Sequence, residues 1–465
     1  MAPGDVALRH DVQMLADAGI LRTPVTTWPI SWPDVARDVN SAAAAGSQPE
    51  YLQQSLRRVT TAARAAAVTG FSGFGYGVAA AERPIVLRDF AAVPREDGEL
   101  SVWAQWLGDR IAGAVRVTAV VDAQDGQRYR LDGSYVGFTV GNFMISFGQM
   151  DRWWGPGWDG SLILSSNARP MPSLTVERNY SDASRLSVLR WFGPWRATLA
   201  LGQAEGSDVA VPDVRFLAAR LAFKPRTWLE VGLSRTAQWC GKGRTCNFST
   251  LTDLLIGRDN RSESLTVDKE PGNQMAGYDV RLRLPWKIVP TTLYAQFIGE
   301  DEANGLPSKF LGLAGLEVAS ASGIGSWRVR AEYADTTCVF TREEPEFNCA
   351  YRNTLFPQGY SYRGRSIGHS IDGDGRMATL AAVLVRPSGT SFSGSIRRVD
   401  LNRDRGFDPA HTVSPLGADL DNIELQVSTR RFDGLLQLGI GYDDYSGNVT
   451  ASSGMHGFVR FSRGL

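Results

Sequence analysis

The chain has 465 residues, enough for two or three ordinary domains or for one large one. Lys plus Arg and Asp plus Glu both number 49 and the mean hydropathy is slightly negative, so the basic excess of a nucleic-acid binder is absent. Glycine (49 residues) and aromatics (10%) exceed what a helical enzyme usually carries, and no apolar run approaches the roughly 18–20 residues of a transmembrane helix. No charged-plus-apolar leader opens the sequence, which suits either a cytosolic chain or an exported one whose leader has been removed.

Residues 1–70 read as helical. In DVALRHDVQMLADAGI, Leu8, Val12 and Leu15 recur at helical spacing and Gly19 supplies a stop. Ser31 precedes WPDVARDVNSAAAA, with Pro33 and Asp34 placed as in a first turn. PEYLQQSLRRVTTAARAAAV sets Leu52, Leu56, Val59 and Ala63 on one face and ends at Gly70. Three such short helices offer little core by themselves and are expected to dock on something larger.

From Phe71 onward the period is two. In SWRVRAEYA, Trp327, Val329, Ala331 and Tyr333 alternate with Arg328, Arg330 and Glu332, and YDVRLRLPW and GLLQLGIGYDD behave alike. A soluble sandwich shows the same alternation. The connections, however, alternate between short turns (TVGN, FGPW, KPRT, RPSGT, RFDG) and long linkers at 151–184, 240–275, 337–375 and 401–420. That alternation matches an outer-membrane barrel with short periplasmic turns and long extracellular loops. Under this rule the strands are 73–82, 98–108, 113–122, 128–138, 141–150, 185–193, 196–204, 214–224, 227–239, 276–286, 291–300, 310–319, 326–336, 376–386, 391–400, 421–431, 434–445 and 455–463. They make eighteen, an even number, so both ends of residues 71–465 fall on the periplasmic side. Closure leaves no unpaired sheet edge in lipid, and Trp103, Trp191, Trp195, Trp228, Trp286 and Trp327 near strand ends suit interfacial belts.

The four cysteines form two local pairs, Cys240/Cys246 and Cys338/Cys349, each closing a short polar loop. Two disulfides in an oxidising compartment are expected. A metal site is disfavoured, since neither pair has C-x-x-C spacing and no histidine lies near.

Three stretches, LRHDVQMLADAGILRTPVTTWPISWPDV, DRWWGPGWDGSLILSSNARPMP and YRGRSIGHSIDGDGRMA, resemble the Wzi family of outer-membrane capsule-assembly proteins. The resemblance implies an eighteen-stranded antiparallel transmembrane β-barrel with a small helical bundle at its periplasmic end. It also implies a role in attaching exported capsular polysaccharide to the cell surface.

A barrel of this width leaves an aqueous lumen unless something fills it. The candidate fillers are the helices of residues 5–69 and the long loops, segment 151–184 foremost, with Arg152, Arg169 and Arg178 beside Asp151, Asp159 and Glu177. Arg281, Arg283, Arg328, Arg330, Glu332 and Arg397 on the strands are expected partners for it. Trp153, Trp154 and Trp158 form either a platform for sugar rings or a set of pins, and the rigid Gly155-Pro156-Gly157 bend favours pinning.

Around His369, the order Asp372, Asp374, Gly375 is calcium-like but lacks the later bidentate Glu. His369 has no accompanying nucleophile, so this stretch reads as a polar lip whose groups bind one another or a glycan. His10, His411 and His456 are scattered and form no metal set. Arg258, Arg261, Arg363 and Arg365 on the loops suit the carboxylates of an acidic capsule.

The resulting expectation is a monomeric, non-enzymatic outer-membrane lectin with a plugged lumen. Its expected partners are capsular or exopolysaccharide, outer-membrane lipid and a polysaccharide export machinery, with no cofactor, metal or nucleic acid. The alternative is a porin-like conduit for polysaccharide export or sugar uptake. A glycan enzyme would need two carboxyl groups facing each other at roughly 5–9 Å.

Overall fold

The structure is a computed structural model describing residues 1–45, 48–204, 210–255, 272–286, 290–303, 306–447 and 452–464. Three helices form where the spacing predicts them: α1 Val6–Asp17, α2 Trp32–Ala45 and α3 Glu50–Ala66. The Asp5 carboxylate caps α1 by accepting from the Leu8 N–H at 2.9 Å. Their apolar stripes meet in one cluster containing Val12, Leu15, Val35, Val39, Leu56 and Val59. The same cluster takes in Phe90 and Trp153 from barrel loops, so the bundle completes its core on the barrel.

The first barrel strands are β1 Gly75–Glu82, β2 Gly98–Leu107, β3 Ile111–Val121, β4 Tyr135–Val140, β5 Phe143–Gly148 and β6 Ser173–Arg178. Next come β7 Trp195–Ala204, β8 Val214–Arg226, β9 Leu229–Trp239, β10 Gly272–Arg283, β11 Thr291–Ala303 and β12 Leu306–Ser322. The last are β13 Gly325–Asp335, β14 Arg376–Val385, β15 Ser391–Leu401, β16 Ala418–Arg431, β17 Gly434–Gly447 and β18 Gly454–Gly464. Two short pieces, Gly70–Phe71 and Tyr129–Arg130, pair beside β2 and β3 as extensions of β1 and β4. Every strand pairs antiparallel with its neighbours, and β18 pairs with β1 to close the barrel.

The polarity is inverted relative to a soluble core. On β13, Arg328, Arg330 and Glu332 are buried in the lumen, whereas Val329 and Tyr333 face out and are exposed. Outward Val115, Phe147, Leu199, Leu380, Ile396 and Ile440 continue the apolar belt around the barrel. A lipid phase accepts such a belt, and water would not. Trp103 departs from the expected belt: it pairs with Gly75 and Arg116, faces the lumen and lies over the bare backbone of Gly75.

One predicted strand is misplaced. Residues 185–193 are not a strand; Ser187–Phe192 is a 3₁₀ helix, and the sixth strand is Ser173–Arg178. The inward loop expected at 151–184 therefore spans 149–172, and Arg178 faces out, stacked 3.9 Å from the Trp195 ring centroid. The connection 179–194 is long for the short-turn end. Phe192 packs edge-on against outward Phe223 at 5.0 Å, which lays this turn on the outer wall with Leu186, Val188 and Trp191 exposed.

Candidate functional site

The lumen is filled from both ends. Loop 149–172 enters it through the Gly155-Pro156-Gly157 bend, and Trp153–Trp154 pairs antiparallel with Thr27–Trp28 between α1 and α2. The Arg9 guanidinium of α1 donates to Pro156 O and Gly157 O, each at 2.8 Å. It also lies 4.1 Å from the Trp158 ring centroid and 4.3 Å from that of Phe90.

Strand residues complete the corner. Glu332 accepts from the backbone N–H of Trp158 at 2.8 Å and of Asp159 at 3.0 Å, and Tyr294 donates its hydroxyl to the same carboxylate at 2.7 Å. The Trp158 indole N–H donates to Glu317 at 3.0 Å. Asp159 takes Arg330 at 3.1 Å and Arg397 at 3.0 Å, and Arg397 also reaches Asp89 and Glu424. Burial by itself would raise the Asp159 carboxyl, but Arg330 and then Arg397 more than offset it, so the group stays below the ordinary carboxylate range.

Trp153, Trp154 and Trp158 are 0%, 0% and 1% exposed. They are pins: a sugar ring could stack on them only if the plug left the barrel. The other expected strand partners divide. Arg330, Glu332 and Arg397 hold the loop, whereas Arg281 and Arg283 hold Asp17 of α1 and Arg328 pairs with Glu317 at 2.7 Å.

Two further loops descend beside the plug. Tyr351 and Tyr360 donate their hydroxyls to Leu162 O at 2.6 Å and Ile163 O at 2.7 Å. Loop 83–97, unremarked in the sequence, places Phe90 against Trp28, Trp153 and Trp158 and Asp89 on Arg397. Its Arg95 donates to Ser166 O and Asn167 O at 2.7 Å each. The signal available was RPIVLRDFAAVPRE, a Pro-bounded stretch without alternation.

The remaining expected residues scatter. Arg152 donates to Thr175 at 2.6 Å, and Arg169 grips Asp132 through two bonds of 2.8 Å and Asp125 at 2.6 Å. Arg363 and Arg365 sit on a small hairpin, Ser361–Tyr362 with Arg365–Ser366, where Arg365 donates to Val86 O at 2.9 Å. Burial, and secondarily Arg95, lowers Arg365 to about 10. Arg258 and Arg261 lie outside the described residues. The disulfides Cys240–Cys246 and Cys338–Cys349 both form, with Cα atoms 4.8 and 5.9 Å apart.

His369 is buried against Gly160, where an added Cβ would stand 1.9 Å from its Nε2. Its Nδ1 accepts from the Ile371 N–H at 3.3 Å, and burial holds its pKa at about 4. Asp372 accepts from Thr412 N at 2.7 Å and pairs with Arg352 at 3.3 Å, while burial raises Asp374 to about 6. Among the described residues no group of three or more His, Cys, Asp or Glu could hold a metal ion.

Beside Asp372, toward the long-loop face, lies loop 402–417. Arg352 braces it through Asp408 at 2.7 Å, Asn402 donates to Gly406 O and Pro415 O, and Asn348 donates to Asp404 at 3.0 Å. The held loop presents Phe407 at 70% exposure, between Asp404 and Arg405 on one side and Asp408 on the other. Sequence reasoning missed Phe407 and Arg352, because a lone Phe in GFDPA looks like ordinary loop.

A closed barrel of eighteen strands with an apolar outer face, its lumen occupied by helices and loops, defines an outer-membrane β-barrel protein. The chain belongs to the capsule assembly protein Wzi family, whose model matches residues 73–456. It is 32% identical over 323 residues to an uncharacterized 55.8 kDa protein in the cps region of Klebsiella pneumoniae, covering 67% of this chain. The match spans 60% of that relative's length, short of two thirds. The solved structure of Escherichia coli Wzi is described as an outer membrane protein involved in group 1 capsule assembly and as a carbohydrate-binding β-barrel. It is 25% identical and covers 100% of this chain and 99% of its own, with a TM-score of 0.87.

Proposed function

We propose that this protein is a non-enzymatic lectin of the outer membrane that binds exported capsular polysaccharide and helps hold it at the cell surface. In this reading residues 1–70 form a periplasmic base and residues 71–465 a barrel whose long loops are extracellular. Outer-membrane lipid surrounds the apolar belt, the barrel acts as a monomer, and an export machinery delivers the glycan. The observation that carries the reading is Phe407, an exposed ring on a braced loop, flanked by acidic and guanidinium groups. A sugar's apolar face packs on such a ring while its hydroxyls and carboxylates meet the flanking groups. The filled lumen supports a holding role over the porin-like conduit.

Binding of the organism's own capsular polysaccharide to protein in detergent micelles tests this. Phe407→Ala should weaken binding roughly tenfold, the equivalent of one stacking contact. Unchanged affinity, or no binding by the unaltered protein, would rule the reading out.

A further inference from the structure

The helices dock on one side of the lumen. Their polar anchors fall on β7–β10 and β13: Arg196 to Thr27 O, Lys224 to Ala16 O, Glu230 to the Val25 and Thr26 N–H groups, Arg281 to Asp17, and Arg58 to Ser326. Opposite them, between α1, α3 and the inner faces of β15–β18, lies a cavity of about 930 Å³. That size falls within the roughly 300–1,000 Å³ of small-molecule sites.

The barrel wall here carries Ser391, Ser393, Gln426, Ser428, Gln437 and Ser462. These side chains are small and offer hydroxyl and amide groups that both donate and accept. The facing stripe of α3 presents Gln54, Arg57, Arg58 and Thr61, one helical turn apart. Four guanidiniums line the space (Arg57, Arg58, Arg430, Arg460) against two carboxylates (Asp5, Asp11), an excess of two positive charges.

The carboxylates are already engaged. Asp11 binds Arg58 at 2.6 Å and Ser55 at 2.7 Å, and Asp5 caps α1. Arg460 donates to Ala92 O at 3.0 Å. The Arg57 and Arg430 guanidiniums are exposed, line the cavity and make no side-chain hydrogen bond or close ion pair among the described residues, Arg430 meeting the Asp5 carboxylate only through a longer-range attraction. The cavity ends at the Gly4–Ala92 contact, where the Ala92 N–H donates to Gly4 O at 2.9 Å. Beyond that contact lies a chamber of about 130 Å³ with Arg116 in its wall.

We propose that this cavity is a second glycan site, taking a short acidic oligosaccharide from the helical end. Its carboxylates pair with Arg57 and Arg430, and its hydroxyls bond the Ser and Gln groups of β15–β18. Hydroxyl-rich walls match a sugar's alternating donors and acceptors, and guanidinium binds carboxylate in two-point geometry. The inference rests on reading the protein as a polysaccharide binder and places the acid-recognising site across the plug from Phe407.

The test is calorimetric titration of the full-chain protein in micelles with trigalacturonate, maltotriose and inorganic phosphate. Trigalacturonate should bind at least about tenfold tighter than maltotriose, and the R57Q/R430Q variant should lose about that factor. Ser428→Tyr, which projects a ring into the void from the strand wall and breaks no side-chain hydrogen bond, should weaken binding at least about tenfold. No heat with trigalacturonate, equal binding of maltotriose, or unchanged binding in both variants overturns the proposal. Displacement by an equal concentration of phosphate would also overturn it, by reducing the cavity to a simple anion trap. Phe407→Ala reports on the loop face and Ser428→Tyr on the cavity, so either reading can fail without the other.

Discussion

The Arg9 guanidinium lies over the Trp158 ring, 4.1 Å from its centroid, and so ties the first helix to the corner of the plug. Arg9 is 0% exposed and donates to two carbonyls of the Gly-Pro-Gly bend. Arg9→Met keeps the bulk but removes the charge and both bonds, a loss of about 2–4 kcal/mol at the joint. In planar bilayers the unaltered protein should stay silent and Arg9→Met should open intermittently. Since both residues serve one joint, the Arg9→Met/Trp158→Ala pair should cost less than the sum of the singles; additive losses would show that the two act separately.

Asp159 is the shared anion of Arg330 and Arg397. Asp159→Asn leaves two buried guanidiniums facing a neutral amide, a cost of about 3–5 kcal/mol. The barrel's heat-induced gel-mobility shift should move to lower temperature. Adding Arg397→Gln should recover part of that loss, and a variant melting with the unaltered protein would show that the network contributes nothing.

His369 should make the plug acid-sensitive. Its pKa is near 4 when folded and about 6.5 when exposed. Asp159 favours its protonation and Arg397 opposes it, but burial dominates. The released state therefore gains the proton first. The stability present above pH 6.5 is lost as pH falls toward 4, by an amount of order 3 kcal/mol. Asp374, raised to about 6, acts in the opposite sense as it protonates in the folded state. Bilayer conductance should rise between pH 6 and 4 in the unaltered protein, more steeply in Asp374→Asn and least in His369→Gln. A flat response in all three would exclude the linkage.

The 179–194 connection should rest in the leaflet at the helical end. Leu186, Val188 and Trp191 are exposed beside outward Phe223, and Arg185 and Arg190 can reach lipid phosphates. A spin label on Val188→Cys in liposomes should be relaxed more by oxygen than by a water-soluble nickel complex. A label on Asp433→Cys, at the β16–β17 turn, should show the reverse. Equal profiles would place the 188 turn in water.

Much of the architecture was legible because a membrane barrel writes itself locally. Alternation such as Arg328-Val329-Arg330 depends on the pleat alone, and turn length depends on which side of the membrane a connection faces. Both readings survive errors of a few residues. The misplaced sixth strand shows the limit: RLSVLRWF is apolar enough for a strand, but it is a 3₁₀ turn whose Phe192 packs on Phe223 and whose other apolar side chains stay exposed. Composition reports that a segment leaves water, and not whether it does so as strand or foot.

The sequence by itself determined the barrel, the number of its strands though not the place of the sixth, the three N-terminal helices, both disulfides and the inward destination of the RWWGPG corner. Each follows from short-range pattern, whose physical cause lies within a few residues. Only the tertiary structure decided what that corner does. Trp158 became a pin because Arg9, Glu317 and Glu332, from distant parts of the chain, meet around it, and no local pattern records such a meeting. The same holds for Phe407 left outside, and for the polar cavity opposite the anchored helices. Exposure is a property of what other segments fail to cover, so it is settled when the chain closes on itself.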